Sequence, residues 1–166
     1  MQMPVIMWQG KFKSLTLIEV LVAVSVAILL LGVSIPLFSK NAKNQNLVNE
    51  AEAIAGFYSR ARNYAFHPER IKVEQYVVDG DNCTADVCDQ LVIKAIPEDS
   101  ADPVEIDKIS MPAVNIEVPG QVAFEVGSGK TNIAGTKTVK IYFKSGDSQE
   151  INIEINNSGN IDVIKN

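Results

Sequence analysis

The chain has little of what most catalytic and metal centres are built from. Among its 166 residues are one histidine, His67, and two cysteines, Cys83 and Cys88. One imidazole and two thiols fall short of a tetrahedral zinc site without further ligands. A Ser/His/Asp hydrolase set would rest on His67, which stands before Pro68 at an expected helix end with no partner in a readable pattern. No metal, no cofactor and no enzymatic activity are therefore expected. Positive charge is also scarce. Residues 40–166 carry 13 Lys/Arg against 19 Asp/Glu, a net of −6, which leaves no overall electrostatic footprint for nucleic acid. The sequence has no internal repeat and no low-complexity tract.

The most uneven absence is that of charge at the N-terminal end. Leu15–Ser39, LTLIEVLVAVSVAILLLGVSIPLFS, holds 25 residues and one charge, Glu19. As a helix this run is about 37 Å long, enough to cross a bilayer. Glu19 is the odd residue in it. A carboxylate within a membrane helix costs about 2.5–3.5 kcal/mol or more, so such a group has a partner or a task. The run is longer than the 7–15 apolar residues of a secretory signal, and Phe38-Ser39-Lys40 does not resemble its cleavage site. Lys11 and Lys13 precede the run and Lys40 and Lys43 follow it, so counting flanking charges does not orient it.

Three segments are read from this pattern: a leader at 1–14, a transmembrane segment at 15–39, and one globular domain at 40–166. A single long helix is expected over Leu15–Phe66. Gly32 and Pro36 should kink or locally unwind it, because proline removes the hydrogen bond to the Gly32 carbonyl. Past Lys40 the helix becomes amphipathic, with Leu47, Ala51, Ile54, Tyr58, Ala61 and Ala65 at 4-3-4-3-4 spacing. Phe57, Tyr58, Tyr64 and Phe66 are read as core, and Gly56 as a point where a strand comes close. From Ile71 the period becomes two. Seven or eight short strands are expected, among them Val73-Gln75-Val77 and Leu91-Ile93-Ala95 as alternating sets, ending in a hairpin that turns at Asn156–Asn160. One long helix followed by strands gives an α+β fold, the helix packed on one or more antiparallel sheets.

The loops offer limited chemistry. Cys83 and Cys88 enclose four residues, a spacing suited to a local disulfide where the compartment is oxidising. Asp79, Asp81, Asp86 and Asp89 surround them. Their spacing fails the EF-hand pattern, and a solvated acidic loop is expected ahead of a calcium site. Gly127-Ser128-Gly129-Lys130-Thr131 ends like a phosphate loop but lacks the Walker spacing, and is read as a flexible turn.

Lys13-Ser14-Leu15-Thr16-Leu17-Ile18-Glu19-Val20 resembles the processing site of type IV prepilins and type II secretion pseudopilins. It matches at Thr16, Leu17, Ile18 and Glu19, and differs at Ser14 and Leu15, where Gly and Phe are usual. The resemblance implies cleavage between Ser14 and Leu15 by prepilin peptidase on the cytoplasmic side, then methylation of the Leu15 amine. It also implies that Glu19 pairs with the Leu15 amine of a neighbouring subunit, and that the helix loosens at Gly32–Pro36 on assembly. Its partners would be the peptidase, other pilins or pseudopilins, and an inner-membrane assembly platform. The helix would sit in the cytoplasmic (inner) membrane with the C-terminal domain outside. Phe124-Glu125-Val126-Gly127, followed by a strand and the hairpin at Gly159, is similar to the GspH/FimT group of minor pilins. Some members bind DNA through basic residues at the last turn, but Ser158–Asp162 has none, so nucleic acid is not expected as a partner. The function implied is that of a minor pilin or pseudopilin. The alternatives are a filament-tip module binding DNA, exoprotein or a surface, and, less favoured, a membrane-anchored enzyme.

Overall fold

The structure, a computed structural model, describes residues 16–68, 72–81, 83–100, 102–146 and 149–165, with the side chains of 33–38 outside that set. Helix α1 spans Leu17–Phe66, 50 residues. Nine strands follow among the described residues: β1 (Val73–Asp81), β2 (Val87–Cys88), β3 (Gln90–Pro97), β4 (Val104–Ser110), β5 (Val114–Glu117), β6 (Val122–Glu125), β7 (Thr136–Phe143), β8 (Glu150–Asn156) and β9 (Ile161–Lys165). The architecture is α+β, as expected. The chain divides into two compact units, Met1–Asn41 and Ala42–Asn166.

In the second unit the predicted helical stripe is the core stripe. Ala51, Ile54, Tyr58, Ala61 and Ala65 are fully buried, and Leu47 nearly so. They join one hydrophobic cluster with residues of two antiparallel sheets, ordered β4-β3-β1-β6 and β2-β5-β7-β8-β9. The five-stranded sheet contributes Val114, Ile116, Val139, Ile141, Ile151, Ile153 and Ile155. These follow the period of two, which places alternate side chains on one face.

The strands form two sheets, because β2 pairs with β5 and not with its chain neighbours β1 and β3. Three expectations are corrected. In β1 the alternation changes phase. A register shift between Val73 and Gln75 puts Tyr76 and Val78 in the main cluster, and leaves Val77 outside it although buried. A bulge adds one residue and so reverses which face the following side chains take. Phe66 is 40% exposed, because it lies in the last turn of α1 beyond the stripe. Gly56 is exposed and a Cβ there would meet nothing within 4 Å, so no strand approaches it.

One core residue carries a cost. Tyr58 is fully buried, and among the described residues its hydroxyl has no hydrogen-bond partner. Burial, with a smaller contribution from the Asp79 charge, raises its pKa far above the usual phenol value, so the group stays neutral. Removing an unpartnered buried hydroxyl relieves a desolvation penalty. Tyr58→Phe is expected to stabilise the second unit by about 1 kcal/mol, read as a higher urea midpoint at unchanged slope. A lower midpoint would mean that the hydroxyl has a partner after all.

Candidate assembly site

The N-terminus of α1 is built by Thr16 and Glu19. Thr16 stands just before the helix, and its Oγ1 accepts a hydrogen bond from the Glu19 N–H at 3.3 Å. The Glu19 carboxylate reaches back and accepts from the Thr16 N–H at 2.9 Å and from its hydroxyl at 3.0 Å. This reciprocal capping box satisfies two backbone donors that the first helical turn leaves unpaired. Thr16-Leu17-Ile18-Glu19 carries the sequence signature of such a box, a role that a reading of Glu19 as a charge alone passes over.

Beyond the cap, residues 17–32 of α1 present apolar surface on every side. Leu17 is 85% exposed and Leu29 72%, and Val22, Val24, Val26 and Ile28 are all exposed as well. Glu19, Val20, Ala23, Val24 and Ala27 line a shallow groove along the helix. The Ser25 hydroxyl is returned to the Leu21 carbonyl at 2.8 Å, which hides its polarity. Among the described residues no helix is long and apolar enough to cross a membrane. The expected span includes Leu15 and residues 33–38, whose side chains are outside the described set. The helical backbone runs without interruption through Gly32 and Pro36, and a Cβ at Gly32 would meet nothing within 4 Å. Ser14 and Leu15 lie outside the described residues.

In the second unit Cys83 and Cys88 form the expected disulfide, Cα–Cα 4.1 Å. Three of the four acidic residues around it are committed to lysines. Asp79 meets Lys94 at 3.1 Å, Asp81 meets Lys108 at 2.6 Å, and Asp89 meets Lys144 at 3.4 Å. The hydrogen bond to the Asp81 carboxylate holds the Lys108 ammonium above its usual pKa. No group of three or more His, Cys, Asp or Glu suited to a metal occurs among the described residues.

The turn read as flexible is instead tied at several points. Gly127 N–H donates to the Ala65 carbonyl at 2.8 Å and so closes the end of α1. Gly129 N–H donates to Glu125, and the Ser128 hydroxyl to the Glu125 carboxylate at 2.7 Å. Thr131 bonds to Asn156 and Asn157 of the last hairpin turn. That turn has no basic residue of its own, but α1 supplies one. Arg62 donates to the Ser158 carbonyl at 3.2 Å and lies 5.4 Å from the Phe66 ring centre. Gly129 and Gly159 meet at this junction. The sequence marked both turns but gave no sign that they touch each other and α1.

No protein-family model and no characterised protein sequence matches the chain. Two solved structures do, both crystal forms of the type IV minor pilin FimU from Pseudomonas aeruginosa. One is 14% identical, covering 71% of this chain and 92% of that one, with a TM-score of 0.55. The other is 16% identical, covering 74% and 90%, with a TM-score of 0.57. At this identity the likeness concerns the fold, which is pilin-like.

Proposed function

We propose that this chain is a minor pilin or pseudopilin, a structural subunit of a type IV pilus or a type II secretion pseudopilus. The observation that carries the reading is a pilin-like domain whose helix α1 begins, at Thr16-Leu17-Ile18-Glu19, with a long exposed apolar segment. In the proposal Leu15–Ser39 spans the cytoplasmic (inner) membrane, with the N-terminus cytoplasmic. Prepilin peptidase cuts after Ser14 and methylates Leu15. The apolar segment then leaves lipid for a bundle of like helices, with help from an inner-membrane assembly platform. Glu19 pairs with the Leu15 amine of a neighbour, and Gly32 and Pro36 let the helix loosen. The role is structural rather than enzymatic, on the analogy of the fold.

Mass spectrometry of the processed protein tests the first step. Peptidase-positive cells should yield a chain beginning at Leu15 with one added methyl group. Full-length chains in assembled filaments, with active peptidase present, would defeat it.

A further inference from the structure

We propose that the Cys83–Cys88 bond is a redox-operated latch. It holds β2 over the outer edge of β5, and its reduction opens that edge to pairing with a second copy of this chain. The inference does not depend on the filament reading.

β2 is two residues long and, among the described residues, is the only strand beyond β5 in its sheet, pairing Val87 with Glu117 and Cys88 with Ile116. Val118 N–H extends the cover by donating to the Asp86 carbonyl at 3.0 Å. So short a strand needs an external hold. Its turn is a two-residue hairpin, with Thr84 and Val87 exchanging hydrogen bonds at 2.9 and 3.2 Å. Such turns favour Asn-Gly because both central residues take positive φ. Here Ala85 and Asp86 take φ 48° and 66°, and alanine has a penalty there. The disulfide supplies the missing hold. Its sulfurs lie against Gly80 of β1, where a Cβ would collide with both. It therefore fastens the end of the four-stranded sheet to the edge of the five-stranded one.

Reduction is chemically accessible, since Cys83 is exposed although Cys88 is buried. A dithiol reductant attacks Cys83 Sγ, and the Cys88 thiolate leaves and takes a proton. The second thiol of the reductant then releases Cys83 and departs as its own disulfide. Two electrons and two protons pass to the protein. The opening is confined to 83–88, because Asp89 stays fixed by Lys144 and by the Met111 N–H at 2.8 Å.

A freed β5 edge suits another copy of itself. In antiparallel register with Ile116 opposite its own counterpart, Val114 faces Val118 and Asn115 faces Glu117. Apolar residues meet apolar ones and no like charges oppose. Such a contact is two-fold symmetric and closes as a dimer.

The test uses the full chain in detergent micelles, oxidised, reduced with dithiothreitol, and as Cys83→Ser/Cys88→Ala. Hydrogen exchange at Val118, read at a dilution that keeps the chain monomeric because the dimer would pair that N–H with Val114 of the second copy, should rise at least tenfold without the bond, with Ile141 and Ile153 unchanged. At higher concentration light scattering should show a new dimer. Asn115→Glu, which opposes Glu117 across that dimer, should lower the dimer fraction several-fold and leave the exchange response intact. Unchanged Val118 exchange, loss of protection throughout the second unit, local opening without a dimer, or a dimer indifferent to Asn115→Glu would each overturn the proposal.

Discussion

Replacing Gly159 by alanine should lower the melting temperature of the second unit by about 10 °C or more, a loss of about 3 kcal/mol. Two costs add. Gly159 holds φ 76° in the β8–β9 turn, where an L side chain costs roughly 1–2 kcal/mol. The turn cannot relax easily, because Asn156 Oδ1 accepts from both Ser158 and Asn160 at 3.0 Å and Gly159 N–H donates to the Asn156 carbonyl. The second cost is steric. A Cβ at 159 would collide with the Gly129 carbonyl oxygen and press on Arg62. The oxygen belongs to the backbone of a turn that is itself tied to α1 and β6, so neither side yields cheaply. Overpacking of this kind costs about 1–3 kcal/mol. Gly127→Ala separates the two costs. Gly127 has φ 86° and nothing within 4 Å of a Cβ, so alanine there meets the backbone cost alone. Thermal unfolding of both variants decides the matter. If Gly127→Ala and Gly159→Ala lose the same stability, the packed junction of α1 with the two turns is not what makes glycine necessary at 159.

The second large effect concerns Glu19. Under the proposed function, Glu19→Ala should insert into membrane and be processed, yet be depleted from sheared filaments by a factor of hundreds. An apolar bundle would then hold the Leu15 amine of a neighbour without a counter-charge. Breaking a buried pair by removing one partner costs about 3–5 kcal/mol, and each 1.4 kcal/mol is tenfold. The capping box complicates this variant, because alanine also removes the bonds from Glu19 to Thr16, a cap typically worth about 1 kcal/mol. Glu19→Gln resolves the two roles. Glutamine serves in a capping box but carries no charge. Comparison of processed membrane pools with filament fractions should therefore show Glu19→Gln close to Glu19→Ala in assembly, though with a firmer first helical turn. Wild-type incorporation of Glu19→Gln would reduce Glu19 to a helix cap and remove the charge pair from the mechanism.

Several parts of the molecule were legible before any coordinates. The buried stripe from Leu47 to Ala65 was readable because helical neighbours recur every three or four residues, so burial of one face is written locally. The strands from β3 onward were readable for the same reason at period two, and so was the last hairpin with its glycine. The disulfide needed only two cysteines at close spacing. The capping box was also written in Thr16-Leu17-Ile18-Glu19, but reading Glu19 only as a charge in an apolar run passed over it. Where the period is broken by a local insertion, the reading failed. The bulge after Val73 moved Tyr76 and Val78 into the main cluster in place of Val77.

By itself, then, the sequence determined the features that depend on residues a few positions apart: the apolar first half of α1, the amphipathic second half, the strand content, the cap and the cysteine pair. Only the tertiary structure decided how the strands divide into two sheets, since pairing β2 with β5 joins residues about thirty positions apart that no local period relates. It likewise decided that Gly80 lies under the disulfide, that Gly129 and Gly159 meet beside Arg62, and that the lysines near the cysteine loop take its carboxylates. Each of these is a contact between chain segments brought together by burial of one shared core. The hydrophobic effect that drives such burial is non-directional, so it specifies that apolar faces meet but not which polar neighbours arrive with them.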